Sequence, residues 1–356
     1  KRLWLGKKFP EKRTKTMTKF LRVALVGCGL ISEEHIRAYA AQADRAKITV
    51  CYDIDTEKSA HCAAALENAR VAASLEDILA DPDIDALEVC TPPHLHPEIC
   101  IAAAKAGKHV LCQKPLARTV AECDSMIAAA HAAGTVLFYG ETNRTLPAAQ
   151  EAKRVIDAGR IGRLVGIQAT FAYWQRGAIL NTAWRYDPSV AGGGQLLDSG
   201  IHSLALMHVL GGPAESVSCF TQRFRPELGG EDTSVVSIQF AGGHLGTLFS
   251  SQAVGTWVSG PGLSAFGTEG ALTLGGGAAL TLHRPDLPER KEVLLERDGN
   301  SFTAMVGAYL DAVQNGTENL SPGEAGREDL QLVLAAYRSE AEGQQIRLAD
   351  LTPASR

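Results

Sequence analysis

Residues 20 to 35 read Phe20-Leu-Arg-Val-Ala-Leu-Val-Gly27-Cys-Gly29-Leu-Ile-Ser32-Glu-Glu-His35, and the change of pattern inside them sets the architecture of the N-terminal part of the chain. Leu21, Val23, Ala24, Leu25 and Val26 form a nearly continuous apolar run, as a strand buried on both faces of a parallel sheet requires. The run ends in Gly27-x-Gly29, and a helix is predicted to open near Leu30. Gly27 permits a tight turn there. Gly29 lets the backbone approach a pyrophosphate, while Leu30 and Ile31 supply free N–H groups at the positive end of the helix dipole. The third position of the glycine pattern is Ser32. A second strand, Ile48-Thr-Val-Cys-Tyr52, ends at Asp53, whose carboxylate suits the hydroxyls of an adenosine ribose. Asp53 would repel a 2′-phosphate and no Arg directly follows it, which favours NAD over NADP. The alternative is a nucleotide-free α/β turn.

At 356 residues the chain is long enough for two domains. Its 45% hydrophobic and 21% charged residues are ordinary for a globular enzyme. Residues 1 to 19 carry eight Lys and Arg against one acid, so the remainder has a net charge of −12. Such an acidic body argues against nucleic acid as a partner. No apolar run reaches the length of a signal peptide core or a membrane span. Residues 1–16 therefore read as a basic extension outside the fold, ahead of a start near Met17. The eight cysteines contain no Cys-x-x-Cys, and several fall in predicted buried strands, which predicts a reducing cytoplasm.

Strand and helix signals alternate to about residue 140, the pattern of a doubly wound parallel sheet. Ser74 and Asp77 open a short helix that Asp81-Pro82 closes. Ala86-Leu-Glu-Val-Cys90 runs into Thr91-Pro92-Pro93-His94-Leu95-His96, where the prolines forbid helix at the carboxyl edge of the sheet, the edge at which ligands bind. Thr91, Pro92 and His96 are thus candidate cofactor contacts, with His96 also a cap for the helix that follows. A metal pair at His94-x-His96 is disfavoured because no further ligand cluster lies at a suitable spacing. Thr119 and Glu122 form a capping box for a helix ending at Gly134. After Thr142 period-two stretches dominate, among them Gly166 to Trp174, Ser216 to Gln222, Ser234 to Phe240 and Leu245 to Ser251. They predict a mainly antiparallel open sheet, interrupted by a helix beginning near Gly194 and followed by helices between Ser301 and Glu342. Val235, Ile238, Phe240, Leu248 and Phe249 require a cover that a second subunit would provide, giving a homodimer or homotetramer.

By these residues the chain from about 20 onward resembles the glucose-fructose oxidoreductase, inositol dehydrogenase and MocA-type (Gfo/Idh/MocA) family of NAD(P)-dependent oxidoreductases. The marks are Gly27-Cys-Gly29 with His35, the Thr91-Pro-Pro loop, Gln113-Lys114-Pro115, Ala191-Gly-Gly-Gly194-Gln-Leu-Leu-Asp198-Ser-Gly200-Ile-His202, and Ala336-Tyr337-Arg338-Ser339. The resemblance implies an α/β fold, an N-terminal Rossmann sheet at 17–142 and a C-terminal α/β domain with a large, mostly antiparallel open sheet at 143–356. It also implies Lys114 in the active site, with a cis bond to Pro115 as is common in the family. Two positions depart from the family pattern. Gln113 stands where Glu is common, and Ala205 stands where polyol dehydrogenases carry a second Asp, which argues against plain inositol.

An ammonium at Lys114 would hydrogen-bond a substrate hydroxyl and stabilise developing alkoxide. Its plainer reading is a solvated or phosphate-facing lysine. Asp198 and His202, four apart, would share one helix face, His202 taking a hydroxyl proton and Asp198 orienting the substrate. Taken alone they read as a helix cap and a core histidine. The residues leave open whether Lys114 or His202 is the immediate base. Gln113 and Lys114 join the cofactor contacts, with no metal called for. Asn143 and Arg144 at the junction, and Tyr173, Trp174, Arg176, Asn181, Trp184 and Arg185 before the glycine run, are candidates for a carbohydrate carrying an anionic group. The expected reaction is NAD-dependent oxidation of a secondary hydroxyl of a sugar, cyclitol or sugar derivative. The competing readings are glycoside cleavage through transient oxidation and a non-catalytic NAD-binding regulator.

Overall fold

The computed structural model describes residues 20–177, 182–256, 261–275, 279–296 and 299–351. Two sheets organise them. The first contains β1 (Leu21–Val26), β2 (Ala46–Tyr52), β3 (Arg70–Val71), β4 (Ala86–Val89), β5 (His109–Gln113) and β6 (Leu137–Gly140) in the order β3-β2-β1-β4-β5-β6. All its pairings are parallel. The strand order reverses between β1 and β4, which opens a crevice at their carboxyl ends. Helices α1 (Ser32–Ala40), α2 (Thr56–Ala64), α3 (Leu75–Ala80), α4 (His96–Lys105) and α5 (Val120–Ala133) make the crossovers, and α6 (Pro147–Asp157) leads out of the sheet.

Local chemistry sets these boundaries. The Ser74 hydroxyl accepts from the Asp77 N–H at the start of α3. At α5 the Thr119 hydroxyl accepts from the Glu122 N–H while the Glu122 carboxylate reaches back to the Thr119 N–H, and Gly134 ends the helix at φ 65°. One expectation needs correcting. His96 does not cap α4 with its side chain, because it stands inside the helix with its ring buried and bonded to backbone elsewhere.

The second sheet starts with β7 (Leu164–Ala172). Beyond it lie α7 (Pro188–Ala191), a π-helical turn at Leu196–Gly200, and α8 (Ile201–Gly211). The strands β8 (Ala214–Gln222), β9 (Thr233–Phe240), β10 (Leu245–Ser251), β11 (Pro261–Gly267), β12 (Ala271–Gly275), β13 (Leu280–His283) and β14 (Lys291–Leu295) follow. Then come α9 (Ser301–Asn315), α10 (Gly323–Glu342) and β15 (Ile346–Arg347). The order is β14-β13-β12-β11-β7-β10-β9-β8-β15, antiparallel throughout except between β7 and β10. Ile238, Phe240 and Leu248 point into the core beneath α8, whereas Phe220 (76% exposed), Val235 and Phe249 face outward. Of the C-terminal helices, α9 packs on the first sheet and α10 binds the two sheets together. Met305, Val306, Tyr309 and Leu310 of α9 share a core with β1 and α1, and Leu330 and Val333 of α10 share one with Tyr139 of β6 and Val217 of β8. No described helix is long and apolar enough to cross a membrane.

Candidate active site at the carboxyl edge of the parallel sheet

The turn after β1 is shaped by what lies beneath it. Gly27 has φ +94°, and a Cβ there would sit 2.6 Å from the Cys90 carbonyl carbon, so glycine is demanded both by conformation and by the end of β4. Gly29 is different. A Cβ there would meet nothing within 4 Å, so the space over it is open to a ligand. Among the described residues the N–H groups of Gly29, Leu30 and Ile31 meet no protein acceptor, and Leu30 is 55% exposed. The Ser32 hydroxyl folds back onto the Gly29 carbonyl at 2.6 Å, which explains how serine fills the third glycine position. Asp53 Oδ2 accepts from the Cys28 N–H at 2.7 Å and Oδ1 from the Asp55 N–H at 2.9 Å. Each oxygen retains a lone pair for a ribose hydroxyl. Unpaired N–H groups at a helix start, open space above a glycine and a carboxylate at the second strand fit the pyrophosphate and ribose of a dinucleotide.

Further along the edge, the buried His96 ring lies 2.9 Å from the Thr91 carbonyl and 3.1 Å from that of Pro115. It therefore supports the Thr91 and Lys114-Pro115 loops from behind and does not reach into the cleft. Burial keeps this imidazole below its ordinary pKa despite those carbonyls. Gln113 is buried with its side-chain nitrogen 2.7 Å from His35 Nε2, and His35 Nδ1 lies 2.8 Å from Glu88. His35, Glu88 and Cys90 thus form a cluster of metal-ligating types beneath the cleft, and His35 and Glu88 are already paired with each other. The Lys114–Pro115 bond is cis.

Lys114 reaches across to the second sheet. Its Nζ donates to the Asp198 main-chain oxygen and, at 3.2 Å, to Asp198 Oδ1. Arg185 donates to the same Oδ1. Burial alone would push the Asp198 carboxyl up, but Lys114 and then Arg185 hold it well below the usual carboxylate range. Asp198 lies in the π turn and His202 in the first turn of α8, and both border one cleft of about 260 Å³. Ile31, Thr91, Pro93, Gln113 and Lys114 line it from the first sheet, and Phe171, Tyr173, Trp184 and Arg185 from the second unit. A larger concavity, about 500 Å³, lies on the outer sheet face around Phe220 and Val235, away from these groups.

One residue of the site escaped the sequence reading. Glu141, fully buried just past β6, places Oε2 2.5 Å from His202 Nδ1, and its Oε1 accepts from the Asn143 N–H at 2.9 Å. Burial raises its pKa less than the neighbouring imidazole and the Asn143 N–H lower it, so the carboxyl stays below its ordinary range. A carboxylate this close to Nδ1 favours the tautomer that carries its proton there, with Nε2 of His202 as the acceptor. The signal was position, since Glu141 follows a parallel strand at the edge where Asp53, Thr91 and Lys114 follow theirs.

Four expected substrate contacts point elsewhere. Asn143 donates to the His202 carbonyl at 3.1 Å and so steadies α8. Arg144 is taken by buried Asp329, 3.3 Å away, which also pairs with His208. Trp174 has one face covered by the Arg225 guanidinium, 4.1 Å from the ring centroid. Arg176 is exposed and outside the cleft lining. Trp184 and Arg185 do border the cleft, with the guanidinium stacked over the indole at 4.9 Å. Asn181 lies outside the described residues.

A switch-point crevice with a glycine turn on one side and an ammonium, carboxylate and imidazole meeting on the other defines a dinucleotide-binding oxidoreductase. Residues 21–141 match the oxidoreductase family with an NAD-binding Rossmann fold, and residues 149–273 match the GFO/IDH/MocA C-terminal domain. The chain belongs to the Gfo/Idh/MocA family. It is 34% identical to levoglucosan dehydrogenase of Pseudarthrobacter phenanthrenivorans over 58% of its length and 55% of that enzyme's. To 1,5-anhydro-D-fructose reductase of Ensifer adhaerens it is 30% identical, over 91% of its length and 97% of that enzyme's. The solved structure of a levoglucosan dehydrogenase in complex with NADH and levoglucosan superposes with a TM-score of 0.83 at 25% identity, covering 93% of this chain and all of that one.

Proposed function

We propose that the protein uses NAD, in preference to NADP, to oxidise a secondary hydroxyl of a sugar, cyclitol or sugar derivative. The observation that carries this reading is the meeting of Lys114 and His202, from opposite units, at one cleft beside the nucleotide turn. When bound, NAD supplies the hydride acceptor, and the turn at Gly27 to Ile31, Asp53, Thr91, Pro92 and Gln113 are the residues to hold it. His202 Nε2, its tautomer fixed by Glu141, takes the hydroxyl proton. Lys114, paired with Asp198, donates to the hydroxyl oxygen, stabilising negative charge as it develops. That division favours His202 as the immediate base. Asp198, held ionised, aims the ammonium and accepts from a neighbouring hydroxyl. Phe171, Tyr173 and Trp184 offer ring faces to the apolar side of a sugar. Because Arg185 already shares Asp198 with Lys114, a neutral ring fits better than an anionic one.

The test is absorbance of NADH across neutral and anionic sugars and cyclitols, with Lys114→Ala and His202→Ala beside the parent. Each variant should lose about a hundredfold or more in kcat. Undiminished turnover in both removes the acid-base assignment. Release of an aglycone without net NADH would mark glycoside cleavage, and NAD binding without any turnover a regulator. A homodimer or homotetramer closed over the open sheet, in a reducing cytoplasm that keeps the eight buried thiols free, completes the proposal.

A further inference from the structure

The glycine run that precedes Asp198 is gripped by two residues remote in sequence. The phenol of Tyr337, on α10, donates to Glu231 Oε1 at 2.7 Å and accepts from the N–H groups of Gly194 (3.1 Å) and Leu197 (3.3 Å). A tyrosine hydroxyl has one proton and two lone pairs, so every bond it can make is used. Glu231, in the segment between β8 and β9, accepts from the Leu196 N–H at Oε1 (2.8 Å) and from the Gln195 N–H at its main-chain oxygen (2.9 Å). Four consecutive N–H groups, from Gly194 to Leu197, are thus satisfied by one phenol and one glutamate. No residue of the segment itself provides a side-chain cap.

Contact at this place is close enough to exclude side chains. A Cβ at Gly193 would lie 2.7 Å from the Tyr337 oxygen, and one at Gly194 would lie 2.1 Å from Glu231 Oε2. The chain that leaves this grip is the π turn Leu196–Gly200. A turn widened by one residue turns carbonyls away from their usual helical partners and opens them to outside donors. The outside donor here is Lys114, which binds the Asp198 carbonyl as well as its carboxylate.

We propose that Tyr337 and Glu231 are positioning residues for the catalytic centre: by capping the glycine run they enforce the wide turn that presents the Asp198 carbonyl and carboxylate to Lys114. Neither borders the cleft. The cap requires an acceptor at Glu231 but no charge, consistent with burial holding that carboxyl above its ordinary range. The inference rests on the proposed function only for its kinetic readout.

Tyr337→Phe, Glu231→Ala and Glu231→Gln test it, each measured for kcat and KM, NAD affinity, thermal midpoint and crystal structure. Tyr337→Phe and Glu231→Ala should lose about tenfold in kcat, the effect of a misplaced catalytic contact, with NAD affinity within about twofold of the parent. Their crystal structures should show the turn at 196–200 closed to α geometry and the Lys114 bond to the Asp198 carbonyl broken. Glu231→Gln keeps the acceptor and should stay within about twofold of the parent in kcat. An intact wide turn with its lysine bond in both Tyr337→Phe and Glu231→Ala overturns the inference. So does a uniform fall of kcat, NAD affinity and thermal midpoint, which marks a structural role. Should the parent chain reduce NAD with no sugar or cyclitol, the proposed function fails, while the crystal structures still decide this point.

Discussion

At the residue level the site depends on pairs that fix protonation and direction. His202 can accept a proton at Nε2 only when the ring's own proton sits on Nδ1, the nitrogen 2.5 Å from Glu141. Glu141→Gln keeps the shape and allows the amide nitrogen to face the imidazole, favouring the wrong tautomer. We expect kcat to fall about a hundredfold with NAD affinity unchanged, measured by steady-state kinetics and NAD titration. How much was legible differs between these residues for a physical reason. Gly27 and Asp53 sit next to strand ends within recognisable runs, so their place followed from local pattern, whereas Lys114 was placed by the family resemblance. Glu141 and Glu231 sit in short connections, and their roles come from partners 61 and 106 residues away, at His202 and Tyr337. Arg144 misled because an arginine near a domain junction carries no local sign that Asp329, brought in by α10, will take it.

Among the elements, those with strong caps were readable and those set by tertiary contact were not. The capping box at Thr119 and the terminal Gly134 defined α5 from sequence. Thr119→Ala should cost about 1 kcal/mol, and therefore a fall of a few degrees in thermal midpoint with kcat intact, read by calorimetry and kinetics. The helix expected near Gly194 begins instead with a π turn, because its start is capped by Tyr337 and Glu231, not by its own side chains. Strands β11 to β14 were not delimited in the sequence. They are short and interrupted by glycine, and their register comes from pairing with β7 and with one another.

For the whole molecule, charge and exposed surface each have a measurable consequence. Asp198 and Glu141 both have carboxyl pKa values depressed by folding. Their contribution to stability is therefore complete above the unfolded carboxylate range near pH 4. It is lost as pH falls through that range towards the folded values, because the unfolded chain then takes up protons that the folded chain resists. Stability measured by urea titration should fall steeply below about pH 4, and an Asp198→Asn, Glu141→Gln double variant should flatten that fall. The open sheet makes the second prediction. Phe220, Val235 and Phe249 form an apolar outer face, and a second copy of the chain is the proposed cover. Phe220→Asp with Phe249→Asp should shift the molar mass in light scattering from an oligomer to 37.8 kDa.

The most direct test of the proposed chemistry is a crystal structure with NAD and a turned-over sugar, in which the distances from the reacting hydroxyl oxygen to His202 Nε2 and Lys114 Nζ are measured. Both should be about 3 Å, with the imidazole still bonded to Glu141. A hydroxyl beyond hydrogen-bond reach of both groups, in a complex that turns over in the crystal, would contradict it.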